Sequence, residues 1–116
     1  MEYMLLIYRN EKAWAEKPEV ERGQMFGEYM AFTESIVKSG NFKAGAPLQQ
    51  TTTATTVRVK GGKPITTDGP FAETREQLGG YYLIDAKDLD EACAIAARIP
   101  GAREGSVEVR PVLQHR

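Results

Sequence analysis

Two segments, Tyr3-Met4-Leu5-Leu6-Ile7-Tyr8 and the run from Leu78 to Ala86, are apolar at successive positions rather than at every second one. Side chains alternate sides along an extended strand, so a strand with one face in water alternates apolar with polar residues. A strand that is apolar throughout needs cover on both sides. In the second segment Tyr81 and Leu83 face one way and Tyr82 and Ile84 the other. A chain of 116 residues with 41% hydrophobic content suits one domain, spanning residues 1–116, with a single core. Such a domain must cover both faces of its central strands with few helices.

The remaining elements follow from local chemistry. Asn10 caps a short turn through Trp14, and Pro18 opens a helix in which Val20, Phe26, Tyr29, Met30, Thr33, Ile36 and Val37 recur at helical spacing. Gly40 ends it. Phe42 to Leu48 reads as a strand at an edge, because Gly45 and Pro47 interrupt it. Thr55 to Lys60 and Lys63 to Thr67, joined by Gly61-Gly62, read as a hairpin. Asp88 and Glu91 match a capping box that opens a second helix through Ile99, with Leu89, Ala92, Ala96 and Ile99 facing inward. Val107, Val109 and Leu113 alternate with Glu108 and Arg110 in a last strand, followed by the tail Gln114-His115-Arg116.

This order predicts an α+β fold of the ferredoxin-like, split βαβ type with an inserted β-hairpin. Two helices cover one face of such a sheet. A second copy of the chain is the simplest cover for the other, so strand patterning predicts a homodimer with sheets face to face.

Several functional classes lose support. With 15 basic and 16 acidic residues there is no net field to draw a nucleic acid or an anionic membrane. The N-terminal apolar run lacks a basic leader and is too short to cross a bilayer. Cys93 is the single cysteine, so no intrachain disulfide forms, and the expected setting is the reducing cytoplasm. Gly61-Gly62-Lys63 lacks phosphate-loop spacing and no Gly-rich dinucleotide fingerprint follows a strand, so no cofactor is expected. His115 is the one histidine, and the acidic set Asp85, Asp88, Asp90 and Glu91 fits helix capping better than calcium, so no metal site is expected.

Chemistry concentrates in Thr67-Asp68-Gly69-Pro70-Phe71-Ala72-Glu73-Thr74-Arg75-Glu76-Gln77-Leu78-Gly79-Gly80. Gly69 permits a positive φ and Pro70 excludes helix before it, so the chain turns there. Asp68 and Glu73 are the candidate acid and base, since two carboxylates in one pocket separate their pKa values. The plain alternative has Asp68 bonding its own loop and Glu73 pairing with Arg75. Phe71 is expected to pack under the loop, or else to wall an apolar ligand site beside Gly69 and Pro70. Arg110, Glu108 and Tyr8 point to the dimer side, as a grip for a small polar ligand or as an interchain ion pair. Trp14 and Tyr29 read as core residues. The Gly79-Gly80 pair starts a strand whose backbone lies close to a neighbour.

The opening Tyr3 to Tyr8, the central Asp68-Gly69-Pro70-Phe71-Ala72-Glu73-Thr74 with Gln77-Leu78-Gly79-Gly80, and the closing Gly105-Ser106-Val107-Glu108-Val109-Arg110-Pro111 resemble the DGPF branch of the YCII-related family along essentially the whole chain. The resemblance implies a dimeric α+β barrel and marks the Asp68-Gly69-Pro70-Phe71 loop as the site. Some members of the branch are similar to proteins encoded beside extracytoplasmic-function sigma factors, which implies a sensory or accessory role. A His-Asp pair has been put forward as a catalytic dyad in the wider family, and here Asp68 has no histidine near it in sequence. Two functions follow as expectations: a homodimeric module that binds a small molecule, or a cofactor-independent hydrolase, isomerase or lyase using Asp68 or Glu73.

Overall fold

The computed structural model describes residues 1–114; the expectation for His115 lies outside the described residues. The elements run β1 (Glu2–Arg9), α1 (Glu11–Glu16), α2 (Glu19–Lys38), β2 (Phe42–Pro47), β3 (Thr55–Lys60), β4 (Lys63–Asp68), β5 (Gln77–Asp85), α3 (Leu89–Ala97) and β6 (Ser106–Pro111), with short 3-10 turns at Thr51–Thr53 and Pro100–Arg103. Four strands form an antiparallel sheet in the order β2-β5-β1-β6, and β3 pairs with β4 in a separate two-stranded ribbon. This is the ferredoxin-like α+β plan with its inserted hairpin.

Register separates the two sheet faces. Tyr3 lies opposite Ile84, and Leu5 lies opposite both Tyr82 and Val109. These side chains pack with Ile7 under Phe32 and Ile36 of α2 and Ala92, Ile95 and Ala96 of α3, and Leu5, Ile36 and Ile84 are completely buried. Truncating such a residue to alanine typically costs about 2–5 kcal/mol, because the cavity it leaves closes only in part. On the other face Met4 lies opposite Leu83 and Arg110, and Leu6 lies opposite Tyr81 and Glu108. Met4, Leu6, Tyr81 and Leu83 are only half-buried, since no element among the described residues covers them.

The result is a plate of 48 × 48 × 19 Å. A compact chain of this length has a radius of gyration of about 13 Å. The observed value is 16.1 Å. The accessible surface is 8225 Å², where about 6300 Å² is usual for a monomer of this mass.

Local chemistry sets most boundaries as expected. Asn10 caps α1 by accepting from the Ala13 amide at 3.0 Å, and Asp88 caps α3 by accepting from the Glu91 amide at 2.8 Å. Glu91 reaches back to the Lys87 amide at 3.2 Å rather than to the cap residue itself. Gly61 and Gly62, at φ 57° and 78°, make the two-residue hairpin turn that joins β3 to β4. No helix is long and apolar enough to cross a membrane among the described residues.

Several expectations on side-chain direction are corrected. On α2 the buried residues are Met25, Phe32 and Ile36, whereas Val20, Phe26, Met30 and Val37 are exposed. The helix therefore carries a second apolar stripe that no sheet residue covers. Helix α3 ends at Ala97 rather than Ile99, and Leu89 at its start is half exposed while Ile95 takes the inward position. Phe71 does not pack under its loop; it is 79% exposed.

Candidate functional site

A groove of about 900 Å³ runs between α2 and the β2-β5 side of the sheet. Its origin lies in small residues. Gly45 and Ala46 on β2, Gly79 and Gly80 on β5, and Gly27 on α2 all border it, so no bulky side chain fills the space beneath the helix. Gly80 draws the two strands together: a Cβ there would lie 3.1 Å from the Ala46 carbonyl oxygen. The close backbone approach expected of Gly79-Gly80 is thus found, with β2 as the neighbour.

The walls are aromatic and thioether. Phe26 and Met30, one turn apart on the second stripe of α2, form one side. Phe42 and Tyr82 form the other, with their rings edge to face at 6.4 Å between centroids. Two phenols reach the groove with their polar ends already engaged. The Tyr82 hydroxyl shares a 2.6 Å hydrogen bond with Thr33 Oγ1, and the Tyr29 hydroxyl accepts from the Gly101 amide at 3.1 Å. Burial is the main reason that the Tyr29 hydroxyl titrates above the ordinary tyrosine value.

One end of the groove is cationic. Arg9, the last residue of β1, lies with its guanidinium carbon 4.3 Å from the centre of the Trp14 ring. Its Nε is buried and has no hydrogen-bond partner among the described residues. Nearby acids are committed elsewhere. The Glu11 carboxylate accepts from the Thr51 amide and hydroxyl, each at 2.8 Å, and Glu104 pairs with Lys17 at 2.6 Å. Glu34, the acidic residue of the lining, pairs with Lys38 at 3.1 Å. Helix α1 holds Trp14 in place because the Glu11 amide donates to Gln77 Oε1 at 3.0 Å, tying the helix to the start of β5. Trp14, expected in the core, borders this groove instead, while Tyr29 borders it and also packs against the core as expected.

The loop singled out in the sequence lies elsewhere. Asp68 sits opposite Thr55 at the open end of the β3-β4 ribbon. The turn after it is held by the Gly69 amide donating to the Ala54 carbonyl at 2.7 Å and by Thr56 Oγ1 donating to the Gly69 carbonyl at 2.8 Å, with Gly69 at φ 95°. The far end is tied by Gln77 Nε2 to the Thr74 carbonyl at 2.5 Å and by Ser106 Oγ to Glu76 at 2.8 Å. Between these ties Pro70, Phe71 and Glu73 are exposed. Asp68 and Glu73 form no ion pair among the described residues, and neither they nor Gly69, Pro70 and Phe71 line the groove.

Tyr8 and Arg110 lie on the uncovered sheet face, opposite Ser106 and Met4 respectively. Four strand positions separate those rows, about 13 Å along the strand. Arg110 Nε donates to Glu108 at 2.7 Å, so the Glu108 partner is on its own strand. No cluster of three His, Cys, Asp or Glu side chains suited to a metal occurs among the described residues.

Sequence reasoning passed over Arg9, and it read Phe26 as part of the helix's apolar face rather than of a site. A signal for them existed in the small residues gathered at positions 27, 45, 46, 79 and 80, which leave volume wherever the fold brings them together. That convergence is a tertiary fact.

The family model of the YCII-related domain matches residues 1–116. The chain is also 40% identical over 114 residues to an uncharacterised protein of Rhizobium meliloti (strain 1021), a match that covers 97% of this chain and 92% of the relative. With the ferredoxin-like sheet already in place, these matches make the chain a member of the YCII-related family.

Proposed function

We propose that the protein is a small-molecule binding module of regulatory or accessory type that works as a homodimer. The observation that carries this is the groove of about 900 Å³ between α2 and the sheet, with aromatic walls and one cationic end. Ligand sites of this kind are concave, mostly apolar, and contain a few placed polar groups. The second copy is supported by the uncovered Met4, Leu6, Tyr81 and Leu83 and by a surface about 1900 Å² larger than a monomer of this mass usually exposes, more than the roughly 800 Å² that a standard interface takes from each partner. The exposed Phe71 and the ribbon residues Val57 and Val59 fit the same reading, because a two-stranded ribbon alone is marginally stable and needs a surface to lie on. Linkage to an extracytoplasmic-function sigma factor belongs to the accessory role as its regulatory partner.

The catalytic alternative, with Asp68 or Glu73 as acid or base, is supported by the freedom of both carboxylates from ion pairs among the described residues. The groove has more behind it, since it combines volume, apolar walls and a cation that is unpaired among the described residues. A thermal-shift screen of wild type, Gly27→Leu and Asp68→Ala against a metabolite panel decides between the two places. A ligand at about a hundred times its dissociation constant stabilises the native state by about 2.7 kcal/mol. Hits lost in Gly27→Leu and kept in Asp68→Ala place the ligand in the groove. Hits lost only in Asp68→Ala move the site to the loop and favour catalysis. An absence of hits in wild type removes the binding function.

A further inference from the structure

We infer that the groove selects an amphipathic carboxylate, with an aromatic or branched apolar body against Phe26, Met30, Phe42 and Tyr82 and its carboxylate on the Arg9 guanidinium. This rests on the groove being the binding site and names the ligand class for it. The charge balance comes first. Arg9 is the basic residue of the lining, and the one acidic residue there, Glu34, is already paired with Lys38. A ligand that enters therefore meets one positive charge that is unpaired among the described residues.

The guanidinium sets which anion fits. The Arg9 guanidinium carbon lies over the Trp14 ring, 4.3 Å from its centre. Guanidinium donors lie in its plane, and a planar carboxylate accepts two parallel hydrogen bonds from such donors. Nε itself is buried, so the donors that a ligand reaches are the terminal nitrogens of Arg9. The apolar walls lie on the α2 and β2 sides, so the body of the ligand points along the groove toward Met30 and Phe42.

Intrinsic fluorescence tests this directly, because Trp14 is the single tryptophan and stacks on the residue in question. The probes are 4-phenylbutyrate, cyclohexanecarboxylate and 4-methylvalerate, each beside its uncharged amide, titrated into wild type, Arg9→Met and Gly27→Leu. Light scattering of wild type and Gly27→Leu runs in parallel. At least one acid is expected to bind wild type about tenfold or more tightly than its amide, and Arg9→Met is expected to bring that acid down to the level of the amide. Gly27→Leu is expected to fold, since a Cβ at Gly27 meets nothing within 4 Å, and to lose both acid and amide by filling the groove.

Equal binding of acid and amide, or binding of no acid, overturns the ligand class, and this comparison on unaltered protein holds even if Arg9→Met does not fold. Undiminished acid affinity in Arg9→Met overturns it as well. If Gly27→Leu still removes binding in those cases, the groove remains the site. Binding unchanged in Gly27→Leu overturns the groove itself. A change of mass in Gly27→Leu makes the groove a subunit contact and overturns both.

Discussion

The Tyr29 hydroxyl accepts a 3.1 Å hydrogen bond from the amide of Gly101, which joins the middle of α2 to the 3-10 turn that follows α3. Gly101 is buried, and a Cβ there would lie 2.5 Å from that hydroxyl. The two helices are thus fixed to each other by a phenol that fits because position 101 has no side chain. Tyr29→Phe leaves the Gly101 amide unpaired and is expected to cost about 1–3 kcal/mol in urea denaturation. The sign of the pH dependence follows from the raised Tyr29 value, set mainly by burial. The native state holds the proton more tightly than the unfolded chain, so this contribution is complete below about pH 10, the ordinary tyrosine value, and fades as pH rises through the higher native value. Alkaline loss of stability is expected to be shallower in Tyr29→Phe than in wild type.

Glycines that look alike in sequence are expected to respond oppositely to alanine. Gly23 lies in exposed α2 and a Cβ there meets nothing within 4 Å. Gly23→Ala is expected to raise stability by about 0.5–1 kcal/mol, because alanine loses less backbone entropy in a helix. At Gly105 a Cβ would lie 2.1 Å from the Tyr8 carbonyl oxygen, a backbone atom of β1. Gly105→Ala must displace the start of β6 and is expected to cost about 1–3 kcal/mol or more. Thermal melts of the two variants beside wild type check both.

Leu83 stands at the centre of the uncovered sheet face, opposite Met4 on one side and Ala44 on the other. Wild type is expected to scatter light as twice the 12.9 kDa chain mass, and Leu83→Glu as a single chain. A buried, unpaired carboxylate at such an interface is strongly disfavoured, whereas on an exposed face it changes little. A monomeric wild type at micromolar concentration would remove the proposed dimer.

Glu28 on α2 takes two hydrogen bonds from Arg103, at 2.6 and 3.0 Å. These bonds hold the Glu28 carboxyl below its usual range. The native state binds that proton less tightly than the unfolded chain. The contribution is therefore complete above about pH 4.5, the ordinary glutamate range, and is lost as pH falls through the lower native value. Both side chains are solvent-exposed, so the effect is expected to shrink at high salt. NMR titration of Glu28 in wild type and Arg103→Gln measures it: the variant is expected to titrate in the ordinary range.

Much of the fold was legible in local chemistry. The Gly61-Gly62 turn, the Asn10 and Asp88 caps and the strand ends depend on residues adjacent in sequence, and all are found within a residue or two of where those residues place them. The direction of α2 was less legible. Met25, Phe32 and Ile36 were chosen for the core over Phe26, Met30 and Val37, although both stripes have helical spacing. Only the position of the sheet beneath the helix separates them. The Asp68-Gly69-Pro70-Phe71 loop was found correctly as a turn, yet its exposed Phe71 and its place outside the groove depend on where the ribbon extends, which no local rule fixes.

The sequence by itself determined the element order, the antiparallel ferredoxin-like plan and the demand of β1 and β5 for cover on two faces, because backbone propensity, capping and strand alternation act over a few residues. Tertiary structure decided the groove. Arg9 at the end of β1, Trp14 on α1, Phe26 and Gly27 on α2, and Gly79 on β5 are far apart in the chain, and they border one space only because the sheet order β2-β5-β1-β6 seats α2 above strands whose small residues leave it unfilled. A vacancy has no residue of its own, so it becomes visible only when the surrounding elements are packed.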